Sequence, residues 1–311
     1  MEKQATRDAY GKALVELGTQ HQDVVVLDAD LSKSTKTADF AKAFPERFIN
    51  AGIAEQNMIG MAAGLAASGK VVFASSFAMF AAGRAFEMVR NSLAYACLNV
   101  KVCATHAGIT VGEDGGSHQS VEDIALMRSL PGMTVVVPAD GSSARQAVHA
   151  LYNRPGPAYL RLGRPAVPTI YPEDMDFEIG KAIELRSGNE ATLIACGIMV
   201  ARCLAAAEQL SQQGIELSVV DMHTIKPLDE DMIIRKARET RAILTAEEHS
   251  IIGGLGGAVC ETVCAHYPVP VLRMGMMDVF GQSGSPEELM QYYGLTTEKI
   301  MENVQLLLKN K

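Results

Sequence analysis

Val100-Lys-Val-Cys-Ala-Thr105 is a β-branched run, His106-Ala-Gly-Ile-Thr-Val-Gly-Glu-Asp-Gly-Gly-Ser-His118 is a loop, and helical periodicity begins at Val121 and runs to Leu130. The loop gathers four glycines, two carboxylates and two histidines into thirteen positions. A strand, a polar glycine-rich loop and a helix form a βα unit, and in sheets built from such units ligands bind beyond the carboxyl ends of the strands. Outward from this unit the same alternation repeats. Strands are predicted at Val24 to Asp28, Lys70 to Ser75, Thr134 to Val137 and Ala158 to Leu162, and helices at Thr6 to Gly18, Ile53 to Ala67, Ala81 to Leu93, Val121 to Leu130 and Gly141 to Asn153. From Gly163 to Glu178 the periodicity is lost around Pro165, Pro168 and Pro172, which reads as an interdomain linker. The pattern then restarts with strands Thr192 to Cys196, Leu217 to Val220, Ala242 to Ala246 and Val269 to Met274. Helices Met199 to Gln213, Asp229 to Thr240, one entered at Gly253, Pro286 to Tyr293 and Thr296 to Leu308 complete it. The expected fold is α/β: two domains, each a mainly parallel sheet flanked by helices.

A length of 311 residues suits two domains with full cores. The net charge of −8, with no basic run to offset it locally, argues against a nucleic-acid partner, because phosphate neutralisation needs clustered cations. The amino terminus has no apolar signal core and no stretch reaches about 18 uninterrupted apolar residues, so neither secretion nor a membrane span is expected. The six cysteines (Cys97, Cys103, Cys196, Cys203, Cys260, Cys264) mostly sit in apolar runs, as buried free thiols of a reducing compartment would, and the expected location is cytoplasmic. Cys260, Cys264 and His266 come nearest to a metal cluster, but a fourth ligand and a tighter cysteine pair are lacking. Packed helix cysteines are the better reading.

The glycines at 108, 112, 115 and 116 do not spell Gly-x-Gly-x-x-Gly, and acidic residues stand where a pyrophosphate would lie. Gly253-Gly254-Leu255-Gly256-Gly257 follows Glu247, Glu248 and His249, and close helix packing accounts for it as well as a nucleotide does. A P-loop and a Gly-x-Ser-x-Gly elbow are both missing from the sequence, which lowers NTPase and serine hydrolase readings. Residues just past the predicted strands are therefore the candidates for chemistry: Asp28, Asp30, Ser75, Ser76, the loop from His106 to His118, and Asp140. Glu55 opens a helix of small residues, Ile53-Ala-Glu-Gln-Asn-Met-Ile-Gly-Met-Ala-Ala-Gly-Leu65. An acid there complements the helix dipole and can cap free N–H groups, and spacing alone favours that role over a catalytic one.

Combination changes that balance. Phe48-Ile-Asn-Ala-Gly-Ile-Ala-Glu55-Gln-Asn-Met, Phe77-Ala-Met-Phe80-Ala-Ala-Gly, Thr105-His106, Val111-Gly-Glu-Asp114-Gly-Gly-Ser-His118-Gln, Arg128-Ser-Leu-Pro-Gly and Val137-Pro-Ala-Asp140, in this order, resemble the pyrimidine-binding domain of transketolases. The second half resembles the family's C-terminal domain. The diphosphate-binding domain with its Gly-Asp-Gly motif has no counterpart in this sequence, so the chain resembles the smaller subunit of a split transketolase. The implied domains are 1–164 (pyrimidine-binding), 165–179 (linker) and 180–311 (C-terminal).

The resemblance implies thiamine diphosphate-dependent transfer of a two-carbon ketol unit from a ketose phosphate to an aldose phosphate, as in pentose phosphate metabolism. It also implies an N-terminal diphosphate-binding partner in an α2β2 assembly, with Mg2+ or Ca2+ held mainly by that partner. Glu55 would share a proton with the pyrimidine ring nitrogen. Phe77 would stack on that ring, with Phe80 as a neighbouring wall and Asp30 near the thiazolium. Asp114 and His118 would read substrate hydroxyls and serve proton transfers, and Arg7, Ser34, His106 and Arg164 would clamp the sugar phosphate. Many transketolases carry Asp directly after the histidine matched by His106, whereas this chain has Ala107-Gly108, and Ala74 replaces an aromatic common in the family. A deoxyxylulose phosphate synthase-like enzyme, the small subunit of a 2-oxoacid dehydrogenase, a noncatalytic partner subunit, and a split enzyme acting on a sulfosugar or a branched pentulose phosphate remain alternatives.

Overall fold

A computed structural model describes residues 2–311 as two α/β domains. Their strands are β1 (Lys3–Ala5), β2 (Val24–Asp28), β3 (Phe48–Asn50), β4 (Val71–Phe77), β5 (Val100–Thr105), β6 (Thr134–Val136), β7 (Ala158–Arg161), β8 (Ala166–Pro168), β9 (Ile183–Arg186), β10 (Ala191–Ala195), β11 (Leu217–Asp221), β12 (Thr224–Lys226), β13 (Ile243–Ser250) and β14 (Val271–Met276). The first sheet runs β12-β6-β7-β5-β4-β2-β3 and is parallel except for β12. The second runs β14-β13-β10-β11-β9 and is parallel except for β9. Strands such as β2 (VVVLD) and β4 (VVFASSF) are buried along their whole length, as strands of parallel sheets covered on both faces must be.

Several elements depart from the sequence reading. The helix expected over Ala81 to Leu93 is two wide π-helical turns, Met79–Arg84 and Val89–Ala94, around a short α-helical piece, Phe86–Met88. The helix expected from Val121 to Leu130 shortens to Asp123–Arg128, and β13 runs four residues past Ala246, carrying Glu247, Glu248 and His249 into ordered structure. The strand expected from Val269 is observed at Val271–Met276. Three helices start beside the polar residues that cap them: Asp229 accepts from Met232 N–H at 3.1 Å, Ser285 from Glu288 N–H at 3.4 Å and Thr296 from Lys299 N–H at 3.2 Å.

The proline-rich stretch read as a linker is packed. Its β8 pairs antiparallel with β1, and the Ile170 and Tyr171 N–H groups donate to Asp140 Oδ2 at 2.7 and 2.9 Å. The two domains also share a core, in which Val135, Val137 and Tyr159 belong to the same buried apolar cluster as Ile194, Val220, Met222 and Ile225.

Asp221, at the end of β11, is fully buried and takes a 2.8 Å hydrogen bond on Oδ2 from the Tyr171 hydroxyl, while Oδ1 has no partner. Burial pushes its carboxyl up to about 8, with the Tyr171 bond opposing and the nearby Asp140 charge adding to the rise. In the unfolded chain such a group titrates near 3.9. The folded state therefore holds an extra proton between those values. Stability from this group is full below about pH 4 and is lost as pH rises through about 8. Asp221→Asn should flatten the fall of the thermal midpoint between about pH 4 and 8; parallel slopes in the two proteins would show that Asp221 does not control it.

Candidate active site

The carboxyl ends of β2, β4, β5 and β7 all lie at one end of the first sheet. The chain leaves β2 for β3 on one side and returns to β4 on the other, so the strand order reverses there, the place where sheets of this kind form their ligand crevice. Into this end come Asp30 after β2, Glu55 after β3, Phe77 at the end of β4, His106 after β5 and Arg164 after β7.

Glu55 is the first residue of the helix Glu55–Ala67 and is only 1 % exposed. It does not cap that helix. Its Oε1 accepts from Ser76 Oγ at 3.1 Å and its Oε2 from Arg84 Nη1 at 2.8 Å, so the carboxylate reaches across to β4 and to the π-helical turn. Arg84 closes that turn, and its guanidinium also lies 4.5 Å from the centre of the Phe80 ring. Wide π-helical turns recur at functional sites, where they re-aim side chains. Apolar periodicity does not disclose them, and Arg84 was missed for that reason.

Phe77 is 8 % exposed and stacks on His106, with ring centres 3.9 Å apart and planes 24° apart. Phe80 is half-buried, lies 6.0 Å from Phe77 at 14°, and meets His118 edge-on at 5.3 Å. Of the two rings, Phe77 is thus covered by His106 and Phe80 is the more accessible.

Arg7 donates through Nη1 to the Ser34 carbonyl at 3.0 Å and to His106 Nε2 at 3.1 Å, while its Nε is buried without a partner. Since a guanidinium only donates, His106 Nε2 is the acceptor, and the other ring nitrogen carries the proton toward Thr105 Oγ1, 2.9 Å away. Burial pulls the imidazole down to about 3, and the charges of Arg7, Arg164, His118 and Lys36 pull it further in the same direction. His106 is therefore neutral. In this arrangement it orients Arg7 and has no spare N–H for an anion. Arg164 donates to the Val111 carbonyl and lies 3.4 Å from Asp114 and 3.8 Å from Glu113. In a chain of net charge −8, Arg7, Lys36 and Arg164 gather around one strand end.

The loop bearing Asp114 and His118 is secured from the second domain. Glu248 Oε1 accepts from Thr110 N–H at 2.7 Å, Gln119 Nε2 donates to the carbonyls of Ile109, Gly112 and Gln282 at 3.2, 3.2 and 2.9 Å, and Ser283 Oγ donates to the Glu113 carbonyl at 2.8 Å. Gly108 is required here: its φ is +79° and a Cβ would fall on the Glu248 carboxylate. Beneath the loop Asp123 and Arg161 form a buried ion pair at 2.8 Å; Tyr159 also donates to Asp123, and Arg161 to the Glu248 carbonyl. Burial alone would raise the Asp123 carboxyl, but Arg161 more than offsets it and holds it below the usual range.

Of the other strand-end candidates, Asp28, Ser75 and Asp140 are structural. Asp28 ties its own loop by accepting from Leu31 N–H, Thr35 and Thr37, and burial still raises its carboxyl. Asp140 caps the helix Gly141–Tyr152, and Ser75 bonds Tyr10 at 2.6 Å. Glu247 receives Leu255 N–H and Gly256 N–H at 2.7 and 2.8 Å, so the glycine-rich entry is a helix start docked on a carboxylate. Asp30 is exposed and accepts from Asn50 Nδ2 at 2.9 Å. Cys103, Cys196 and Cys203 are buried, but Cys97 and Cys264 are exposed and Cys260 is intermediate, which corrects the packed-helix reading of the last pair. Among the described residues no group of three or more His, Cys, Asp or Glu side chains could hold a metal, and no helix is long and apolar enough to cross a membrane.

Residues 2–169 match the transketolase pyrimidine-binding domain and residues 180–300 the transketolase C-terminal domain. A protein of Methanocaldococcus jannaschii described as a transketolase C-terminal section is 53 % identical over 301 residues, covering 96 % of this chain and 94 % of its own length. A 6-deoxy-6-sulfo-D-fructose transketolase subunit of a Clostridium species is 44 % identical over 301 residues, covering 97 % and 94 % respectively. A solved split-gene transketolase, described as an inactive β4 tetramer, superposes with a TM-score of 0.90 at 53 % identity over 98 % of each chain.

Proposed function

Because the chain belongs to the transketolase family, as the section holding its pyrimidine-binding and C-terminal domains, we propose that it is the C-terminal subunit of a split enzyme that moves a two-carbon ketol unit between phosphorylated sugars. The observation that carries this reading is Glu55: a buried carboxylate at a helix start that turns away from the backbone donors beside it and toward the crevice at the strand ends.

The residues fit the pyrimidine half of thiamine diphosphate. A buried carboxylate and the half-buried Phe80 ring, backed by Phe77, suit a flat heterocycle with a ring nitrogen. The diphosphate is assigned to a partner subunit, since the acidic loop Glu113-Asp114 is the wrong charge for it, and its Mg2+ or Ca2+ goes with the diphosphate. When bound, thiamine diphosphate supplies the nucleophilic carbon and the electron sink that such a transfer needs. Glu55 would hold or release a proton at the ring nitrogen, Asp30 is assigned to the thiazolium end, and Asp114 and His118 would receive and return protons of the substrate hydroxyls. Arg7 and Arg164 take the anionic end of the sugar, with His106 and the Ser34 carbonyl fixing Arg7. A sulfonate presents the same geometry to an arginine fork, so the Clostridium relative's substrate class fits the same clamp. The cofactor would be clasped between this chain and the partner in an α2β2 assembly of the cytoplasm.

The test is ketol transfer by this chain combined with the larger subunit; no transfer from any anionic ketose would end the reading. Within that assay Arg164→Ala should lower kcat/KM for a phosphorylated acceptor by about 10- to 150-fold, the loss of a charged hydrogen bond, and leave glycolaldehyde little changed. An equal fall for both acceptors would mean that Arg164 serves only to hold the Val111 carbonyl and its loop.

A further inference from the structure

Both aromatic rings of the crevice are covered, but by neighbours of different mobility. The cover on Phe77 is His106, which is buried and bonded on both ring nitrogens. The cover on Phe80 is Arg84, whose side chain is 47 % exposed and whose one partner of opposite charge among the described residues is Glu55. One guanidinium thus occupies both the accessible ring and the carboxylate that the reading above gives to the pyrimidine. A flat ring cannot lie on Phe80 and reach Glu55 while Arg84 does so.

We propose that Arg84 is a latch: it closes on Glu55 and Phe80 in the unloaded subunit and swings outward to admit the aminopyrimidine. Phe80 and Arg84 stand four positions apart, so they share one face of the turn Met79–Arg84 and the guanidinium lies over the ring, at the solvent side of the crevice. The closed state neutralises a buried carboxylate that would otherwise have only the Ser76 hydroxyl. The latch also lowers the apparent affinity for the cofactor in proportion to the fraction of time it is open; a latch open one-tenth of the time costs about tenfold. This inference rests on the pyrimidine seat proposed above.

The experiment uses the two-subunit complex and radiolabelled thiamine diphosphate, with rates read by rapid filtration. Arg84→Met keeps the stem and removes the charge, Arg84→Gln is a second neutral variant in case the first folds poorly, and Arg84→Lys retains a cation. Both neutral variants should bind the cofactor about tenfold faster, with an unchanged dissociation rate, and the lysine variant should stay near wild type. Unchanged association, or an effect confined to dissociation, would overturn the latch, the latter by placing Arg84 on the bound cofactor. A wild-type complex that binds no cofactor would overturn the seat itself and the latch with it. Binding by wild type with unaltered neutral variants would overturn the latch alone.

Discussion

Glu55→Gln in the two-subunit complex is expected to slow solvent exchange of the cofactor's C2 proton, and ketol transfer with it, by about 10²- to 10⁴-fold, the range of a lost general acid or base. Glutamine preserves the shape and can still accept from Ser76 Oγ, which lies 3.1 Å from the carboxylate, so the fold and the helix start should survive. Proton exchange followed by NMR reads the effect apart from substrate binding. If exchange keeps its rate while the thermal midpoint is unchanged, Glu55 is no more than a buried counter-ion for Arg84, and the catalytic reading of the crevice fails with it.

Asp123→Ala should destabilise the chain by about 3–5 kcal/mol, measured as a shift in the urea midpoint at constant slope. The substitution leaves the Arg161 guanidinium buried without its counter-charge and the Tyr159 hydroxyl without an acceptor. Adding Arg161→Met to that variant should cost little more or recover part of the loss, because the uncompensated charge is then gone. Strictly additive losses would show that the pair is not the source of the effect. The same residues carry the Ser120 and Glu248 carbonyls, so the variant should also loosen the loop that bears Asp114 and His118.

Where local pattern decides structure, the reading from residues was close. Val24–Asp28 and Val100–Thr105 have the expected limits, and the helices near 199, 230, 286 and 297 begin within one residue of their predicted starts. The misses are non-local or geometric. β3, β9 and β12 are three- or four-residue strands whose existence depends on a neighbour far along the chain. The π-helical turns keep apolar residues at Ala81, Ala82, Ala85, Val89 and Leu93, a spacing that a regular helix would also show.

At the site, family-like motifs pointed to Glu55, the two phenylalanines, Asp114 and His118, which lie at or beyond the ends of β3, β4 and β5. They could not reveal that His106 is spent on Arg7, that Phe77 is already covered, or that Arg84 lies between Glu55 and Phe80. Arg161, flanked by Leu160 and Leu162 in a buried strand, was the one signal of the interdomain network available beforehand, since a charge there demands a partner.

β12 has a consequence for recombination between relatives. Although it follows β11 of the second domain in the chain, it forms the edge of the first sheet by pairing Thr224 and Lys226 with Val136 and Val135 of β6. A crossover placed in the 165–179 stretch would therefore exchange an edge strand of the domain meant to be kept. If the donor's strand fits poorly, β6 is left with unpaired N–H and C=O groups, a template for intermolecular pairing. Chimeras should be designed with residues 221–228 and their β6 partner taken from the same parent, because the unit of inheritance in this molecule is a pair of strands and not a stretch of sequence.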